Sequence, residues 1–298
     1  MLELTFLGTG SMTPTKDRNH SGVFIKHLHE GILVDCGENI QRQMKVAGLS
    51  LAKVTRILIS HWHGDHTLGL PGLIQSMNAA GYPHTLHVYG PKGTKKRFGY
   101  MYQAFAFDDR SIRVELHEIE EGIVFETREL TAAARLLDHG IDTYGYEVAE
   151  KDRRRIDLKK AKALLVPHGP LMGKLQAGER IKLGKKTIKP EDATYVVKGK
   201  KVAFIADTAL CDGCYALAKD ADALISESTF LSDMEEKSRE YKHMTSRDAA
   251  MVAKKAGAKK LYLTHFSSRY KDTKLHEKDA KAIFKDTMAA RDFLKVEV

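Results

Sequence analysis

Residues 60–73 read SHWHGDHTLGLPGL, and HWHGDH at 61–66 sets three histidines and an aspartate at the end of an apolar run. His61, His63, Asp65 and His66 offer neutral imidazole nitrogens and an ionised carboxylate, a donor set suited to zinc, and four donors so close together can be divided between two adjacent ions. The spacing is not that of the helical zinc-protease motif, because no Glu follows His61 and no HExxH is present. Gly64 allows a tight backbone path, which places the motif on a strand end and the loop after it. An accidental polar cluster is the competing reading, and it leaves the density of ligand types unexplained.

Four local donors do not complete two sites, so distant ligands are required. His139 in LLDHG, Asp207 in IADT and His265 in LTHFS are the candidates. A carboxylate has two oxygens, so Asp207 is the best candidate to bridge two cations. Each has an ordinary alternative: a satisfied core histidine for His139 or His265, a helix or turn cap for Asp207. Two ions about 3.5–4 Å apart activate a water and offset charge on the attacked and leaving oxygens of a phosphodiester.

Apolar runs predict strands over 2–8, 31–37, 54–61, 85–90, 163–167, 201–207, 223–229 and 260–266. Helical patterns cover 72–80, 246–257 and 276–293, with Thr245 and Asp248 spaced to cap the second of these. The mixture predicts an α/β chain of sheets covered by helices. His61 follows RILIS, Asp207 follows KVAFIA and His265 follows KLYLT. Strand ends can converge on one crevice while a packed sheet holds them there.

The 298 residues, 43% hydrophobic and 29% charged, describe a folded chain rather than a disordered one. Cys36, Cys211 and Cys214 are an odd set in so long a chain, which argues against a disulfide scaffold. No stretch approaches a membrane span, and MLELTFLGTG lacks the features of a signal peptide, so the expected location is the cytoplasm, away from any membrane. Net charge is +9, yet residues 151–190 alone carry 13 Lys or Arg against 3 Asp or Glu. That basic interval, which includes HGPLMGKLQAG at 168–178, is expected to be an insertion or projecting arm. It is either a solvated loop or a surface for nucleic acid, whose phosphates are bound by charge without reading bases.

Lesser signals are CDGC at 211–214, which fits thiol chemistry or plain packing, and GTGS at 8–11, which reads as a turn bordering the site. FGYMYQAFAF at 98–107 fits core packing, with base stacking or an interface as alternatives. Arg269, after Ser267 and Ser268, can hold a phosphate through two donors or pair with a local carboxylate.

Taken together, FLGTG (6–10), RNHS (18–21), DCGE (35–38), SHWHGDHTLGLPGL (60–73), LDHGIDTYGY (137–146), GPLMGKLQAG (169–178), IADT (205–208), SEST (226–229), HMT (243–245) and LTHFSSRY (263–270) make the chain resemble the metallo-beta-lactamase superfamily. More narrowly, they resemble short-form ribonuclease Z, the tRNA 3′ processing endonucleases. The resemblance implies a four-layer αββα metallo-beta-lactamase sandwich over residues 1–298, with a tRNA-binding arm inserted at 151–178. It implies one metal held by His61, His63, His139 and Asp207, and another held by Asp65, His66, Asp207 and His265. The ions are expected to be two Zn2+, with Mn2+ or another divalent ion as alternatives. Asp65, His243 and Glu227 are the implied catalytic groups, the latter two as a proton-transfer pair. SEST stands where HEAT is commoner, and HMT where HST is, but Glu227 and His243 are kept. Gly169, Pro170, Gly173, Gly178 and Arg269 are the implied substrate contacts, precursor tRNA the implied partner, and a homodimer the implied assembly, each arm serving the other subunit's site. A small-substrate metallohydrolase, such as a phosphodiesterase or thioesterase, shares the metal residues without a use for the arm. A noncatalytic RNA-binding protein with structural metals is the alternative of a different class.

Overall fold

A computed structural model describes residues 1–107 and 112–298. The chain first lays down β1 (Glu3–Gly8), β2 (Gly22–His27), β3 (Glu30–Val34), β4 (Arg56–Leu58), β5 (Leu86–Gly90) and β6 (Val114–Glu118). It then crosses to a second sheet with β7 (Gly122–Glu126), β8 (Leu130–Asp138) and β9 (Asp142–Glu150). A basic excursion follows, containing β10 (Arg153–Ile156), β11 (Ile181–Leu183), β12 (Lys186–Ile188) and β13 (Thr194–Val197). The second sheet is completed by β14 (Lys201–Ile205), β15 (Ala223–Glu227), β16 (Leu261–Thr264) and β17 (Thr287–Ala289), and β18 (Lys295–Glu297) returns to the first. Among the described residues the two sheets have the orders β18-β1-β2-β3-β4-β5-β6 and β17-β16-β15-β14-β9-β8-β7.

Alternation along the strands shows what each face covers. Phe24, Leu33, Ile57 and Val88 pack with Met44, Leu73, Ile74 and Met77 of the helices Ile40–Val46 and Leu70–Ala79. Their neighbours Val23, Ile25, Ile32, Val34 and Leu58 turn the other way, into one cluster with Leu130, Ala132, Tyr146 and Val148 of the second sheet. That cluster also takes in Leu217, Ala249, Val252 and Ala253 of the helices Asp212–Ala218 and Ser246–Ala256. Strands covered on both faces are apolar throughout, which is why they read as runs rather than as alternations. Helix, sheet, sheet and helix stack in the expected four-layer αββα order.

Thr245 and Asp248 form the expected reciprocal cap. Two expected elements are corrected. Residues 163–167 are not a strand: the helix Leu158–Ala163 ends there, Leu165 has φ 58°, and Val166 tucks into the excursion's own apolar cluster. Residues 276–293 are not one helix: the helix Lys274–Lys281 stops, and Thr287–Ala289 adds a parallel strand beside β16. There the open sheet edge supplies backbone partners that outweigh local helix propensity.

β10 pairs antiparallel with β13, Arg153 opposite Val197 and Ile156 opposite Thr194, so the excursion leaves and returns at one place. Between them Ala161, Val166, Met172, Leu175, Ile181, Ile188 and Ala193 make a small core separate from the two main ones. Short helices cover it, as Gly169, Pro170 and Gly178 demand: Pro170 opens the helix Pro170–Gln176, while Gly169 and Gly178 have φ of 124° and 85°.

Candidate metal centre

β4 ends at Leu58, and the chain runs on extended to His61 before the single helical turn Gly64–Thr67, which carries Asp65 and His66. Gly64 therefore opens a helix rather than a loop. His139 sits at the tip of the β8–β9 hairpin, Asp207 two residues beyond β14 and His265 just beyond β16. Parallel pairing of β14, β15 and β16 brings their carboxyl ends to one edge. His265 takes φ 58°, an unfavourable conformation for a side chain with a Cβ, and the Phe266 amide beyond it bonds to the Thr9 carbonyl at 2.9 Å.

All seven expected ligands come together, in the two groups the resemblance implies. In the first, His61 Nε2 lies 3.0 Å from His63 Nδ1, and His139 Nε2 lies 3.3 Å from the same atom. Asp207 Oδ2 is 3.8 Å from His61 Nε2 and 3.6 Å from His139 Nε2. In the second group, Asp65 Oδ2 stands 3.4 Å from His66 Nε2 and 3.3 Å from His265 Nε2. Asp207 reaches His66 Nε2 at 3.5 Å through Oδ2 and His265 Nε2 at 3.2 Å through Oδ1. Donors about 2.0–2.2 Å from a tetrahedral zinc stand roughly 3.4 Å from one another, so the spacings fit, with Asp207 common to both groups.

The far nitrogens of the rings are already engaged. His66 Nδ1 donates to Asp35 Oδ2 at 2.7 Å, His139 Nδ1 to the Lys242 carbonyl at 3.0 Å, and His265 Nδ1 to Thr229 Oγ1 at 2.9 Å. His61 Nδ1 meets Ser60 Oγ at 3.0 Å, and that hydroxyl donates to Asp35 Oδ2 at 2.9 Å. With Nδ1 protonated, each Nε2 presents a lone pair to the others, an arrangement that a cation relieves. Asp65 Oδ1, Asp207 Oδ1 and His66 Nε2 are buried without a hydrogen-bond partner, which a bound ion would supply. The residues fit two divalent cations.

Asp35, Ser60, Thr208 and Thr229 are the functional neighbours that the sequence reading assigned no role. Their signals are the motifs DCGE, SHWHGDH, IADT and SEST, and none of these says which ring a side chain will meet. Gly37 is a further one: a Cβ there would stand 2.5 Å from the Asp65 carbonyl oxygen and 2.8 Å from that of Ser21, so only Gly lets this loop support the ligand turn.

His243 and Glu227 do meet, Nδ1 to Oε1 at 2.8 Å. Glu227 is fully buried and is held by the Thr208 amide at 2.9 Å, the Thr229 amide at 3.1 Å and the Thr229 hydroxyl at 2.7 Å. Burial depresses the His243 pKa, but the Glu227 carboxylate and its hydrogen bond outweigh this and raise it to about 9. Both rings of the His243–His265 pair border a cleft of about 540 Å3, together with Ser11, Met12, Thr13, Phe230, Tyr241 and Arg269. Arg269 lies over the Phe230 ring at 5.1 Å and bonds to Ser267 rather than to a carboxylate. Gly169, Pro170, Gly173 and Gly178 lie instead in the basic excursion, all exposed. Cys211 Sγ and Cys214 Sγ are 3.7 Å apart as free thiols, and Phe98 of residues 98–107 is buried against Trp62.

Comparison with known proteins places this centre in context. A model of the beta-lactamase superfamily domain matches residues 175–266, and one of the anti-Pycsar protein Apyc1 matches residues 2–98. The metallo-beta-lactamase fold protein YhfI from Bacillus subtilis, 20% identical, superposes with a TM-score of 0.72 over 100% of this chain and 99% of its own, which establishes the fold. Human tRNase Z, short form, is 26% identical with a TM-score of 0.74, covering 99% of each chain. Ribonuclease Z of Methanothermobacter thermautotrophicus is 41% identical over 305 residues, spanning 100% of this chain and 97% of its own. Identity of that extent over both full chains, on the metallo-beta-lactamase fold, establishes that this chain belongs to the ribonuclease Z family.

Proposed function

We propose that the chain is a zinc-dependent endoribonuclease that cuts precursor tRNA on the 3′ side of the acceptor stem, leaving tRNA with a 3′ hydroxyl and a trailer with a 5′ phosphate. The observation that carries this reading is the pair of ligand groups sharing Asp207, open to a cleft beside a His–Glu pair, in a chain aligned end to end with ribonuclease Z. Two divalent cations, when bound, supply a water of lowered pKa and offset phosphoryl charge. Asp65 Oδ1, buried and unpartnered, orients the attacking water. His243 is protonated at neutral pH and donates to the departing ribose 3′ oxygen, and Glu227 fixes the ring and stabilises its charge. Arg269, with no carboxylate partner among the described residues, holds a backbone phosphate at the cleft mouth.

The excursion is the arm that binds the body of the tRNA. Arg153, Arg155, Lys159, Lys162, Lys174, Arg180, Lys182, Lys185, Lys186 and Lys189 form no ion pair among the described residues, so their charge is available to phosphates. In a homodimer each arm serves the other subunit's centre. No helix among the described residues is long and apolar enough to cross a membrane, and the enzyme works in the cytoplasm.

The test is cleavage of end-labelled precursor tRNA by zinc-loaded protein, with both product ends mapped. It is repeated after residues 157–193 are replaced by Asn-Gly, which reconnects Ile156 to Thr194 across a ladder already paired. Cutting at the acceptor stem is expected, with arm removal raising KM for tRNA while hydrolysis of a small phosphodiester is unchanged. Cleavage of small esters alone would assign the centre to a general metallohydrolase. Mixing arm-deleted chains with Asp65→Ala chains restores activity if arms act across the dimer.

A further inference from the structure

A second set of ligand-type side chains lies on β5 and β6 of the first sheet, where the proposed reaction does not use it. β5 and β6 run parallel, with His87 opposite Glu115 and Tyr89 opposite His117, so these residues share one face. His87 Nδ1 is 3.3 Å from His117 Nε2 and 3.4 Å from Glu115 Oε2. One donor atom from each of the three lies within 4.8 Å of the others, and all three are half-buried. The two close distances match the roughly 3.4 Å edge of a tetrahedral zinc site.

The surroundings hold these donors in place. Arg113 Nη2 bonds to Glu115 Oε1 at 2.6 Å, which leaves Oε2 turned to His87. Tyr89 stacks on His117 with ring centres 4.5 Å apart and planes within 15°, fixing the ring. His87 also borders a groove of about 700 Å3, with Lys26, His29, Glu30, Arg56 and His84, which opens its side of the group to solvent. Arg56 pairs with His87, and Tyr89 with both Leu58 and His117, so the group lies beside β4, three to five residues before His61, on the two strands nearest the sheet edge.

We propose that His87, Glu115 and His117 form a third divalent transition-metal site of the zinc type, separate from the two-ion centre, which ties the edge strand β6 to β5. A plain hydrogen bond between the two imidazoles is the competing account, and it predicts no metal uptake.

Full-length protein loaded at the two-ion centre is dialysed against micromolar free Zn2+, and zinc per chain is counted alongside the melting temperature. Wild type is expected to take up one equivalent beyond the centre and to melt higher for it. His117→Gln and Glu115→Gln are each expected to lose that equivalent and the added stability while RNA cleavage, the check on folding, is unchanged. Asp207→Ala is expected to lose metal at the centre but to keep the third equivalent, which separates this site from the catalytic one. No uptake beyond the centre in wild type, or the same uptake in both β6 variants, overturns the proposal.

Discussion

Asp207 and His243 stand within one cleft, and the different roles proposed for them can be separated by substitution. Asp207 is common to both ligand groups, so Asp207→Ala is expected to lower metal content as well as rate. His243 has Nδ1 committed to Glu227. His243→Ala is therefore expected to cut kcat by about 10² to 10⁴, the usual worth of a positioned proton donor, with metal content by plasma emission unchanged. Loss of metal in that variant would make His243 a ligand instead. His276 poses a different problem: it is fully buried between Phe266 and Tyr270, and neither ring nitrogen has a partner. Burial lowers its pKa to about 4; Asp279 opposes this and Arg18 adds to it. Between the unfolded value near 6.5 and this folded value, the unfolded chain binds a proton that the native chain refuses. Stability is thus full above that window and falls as pH drops through it, by about 3 kcal/mol in all. His276→Leu is expected to melt with a flatter dependence on pH between about 4 and 6.5 than wild type. Parallel melting curves would show that the ring finds a proton acceptor when charged.

At the level of elements, the short helix Pro170–Gln176 carries the clearest separation of stability from function. Gly173 lies inside it, exposed, and a Cβ there would meet nothing within 4 Å. Helix propensity then favours Ala by about 0.8–1 kcal/mol, so the fold gives no reason for glycine. The proposed close approach of a tRNA backbone would. Gly173→Ala is expected to melt slightly higher while KM for precursor tRNA rises severalfold, and unchanged KM would remove this helix from the contact surface. The same element shows where local signals are weak: ALLVP has the composition of a strand, yet it closes a helix and feeds the arm's small core. Residues 276–293 have helical periodicity, but their second half pairs with β16 because that edge was open.

Across the whole molecule the centre sits on the seam between the sheets. His61, His63, Asp65 and His66 follow β4 of the first sheet, whereas His139, Asp207 and His265 follow strands of the second. Cations bound there would therefore clamp one half to the other. At free metal about 1,000 times Kd, binding stabilises by about 4 kcal/mol, and each kcal/mol moves the midpoint of a chain this size by about 2–4 °C. Chelation is expected to lower Tm by on the order of 10 °C with the far-ultraviolet dichroism below the transition unchanged; no shift would mean the clamp is absent. The sequence by itself determined the donor types at 61–66, the apolar strands that precede His61, Asp207 and His265, and the charge of the arm, because donor chemistry, strand periodicity and charge are written in neighbouring residues. Only the tertiary structure decided that Asp35 and Thr229 orient the rings, that Gly37 supports the Asp65 turn, and that His87 meets His117 across two strands. Those relations depend on which strands pair and in what register, and a one-residue slip of β6 would turn His117 to the face opposite His87.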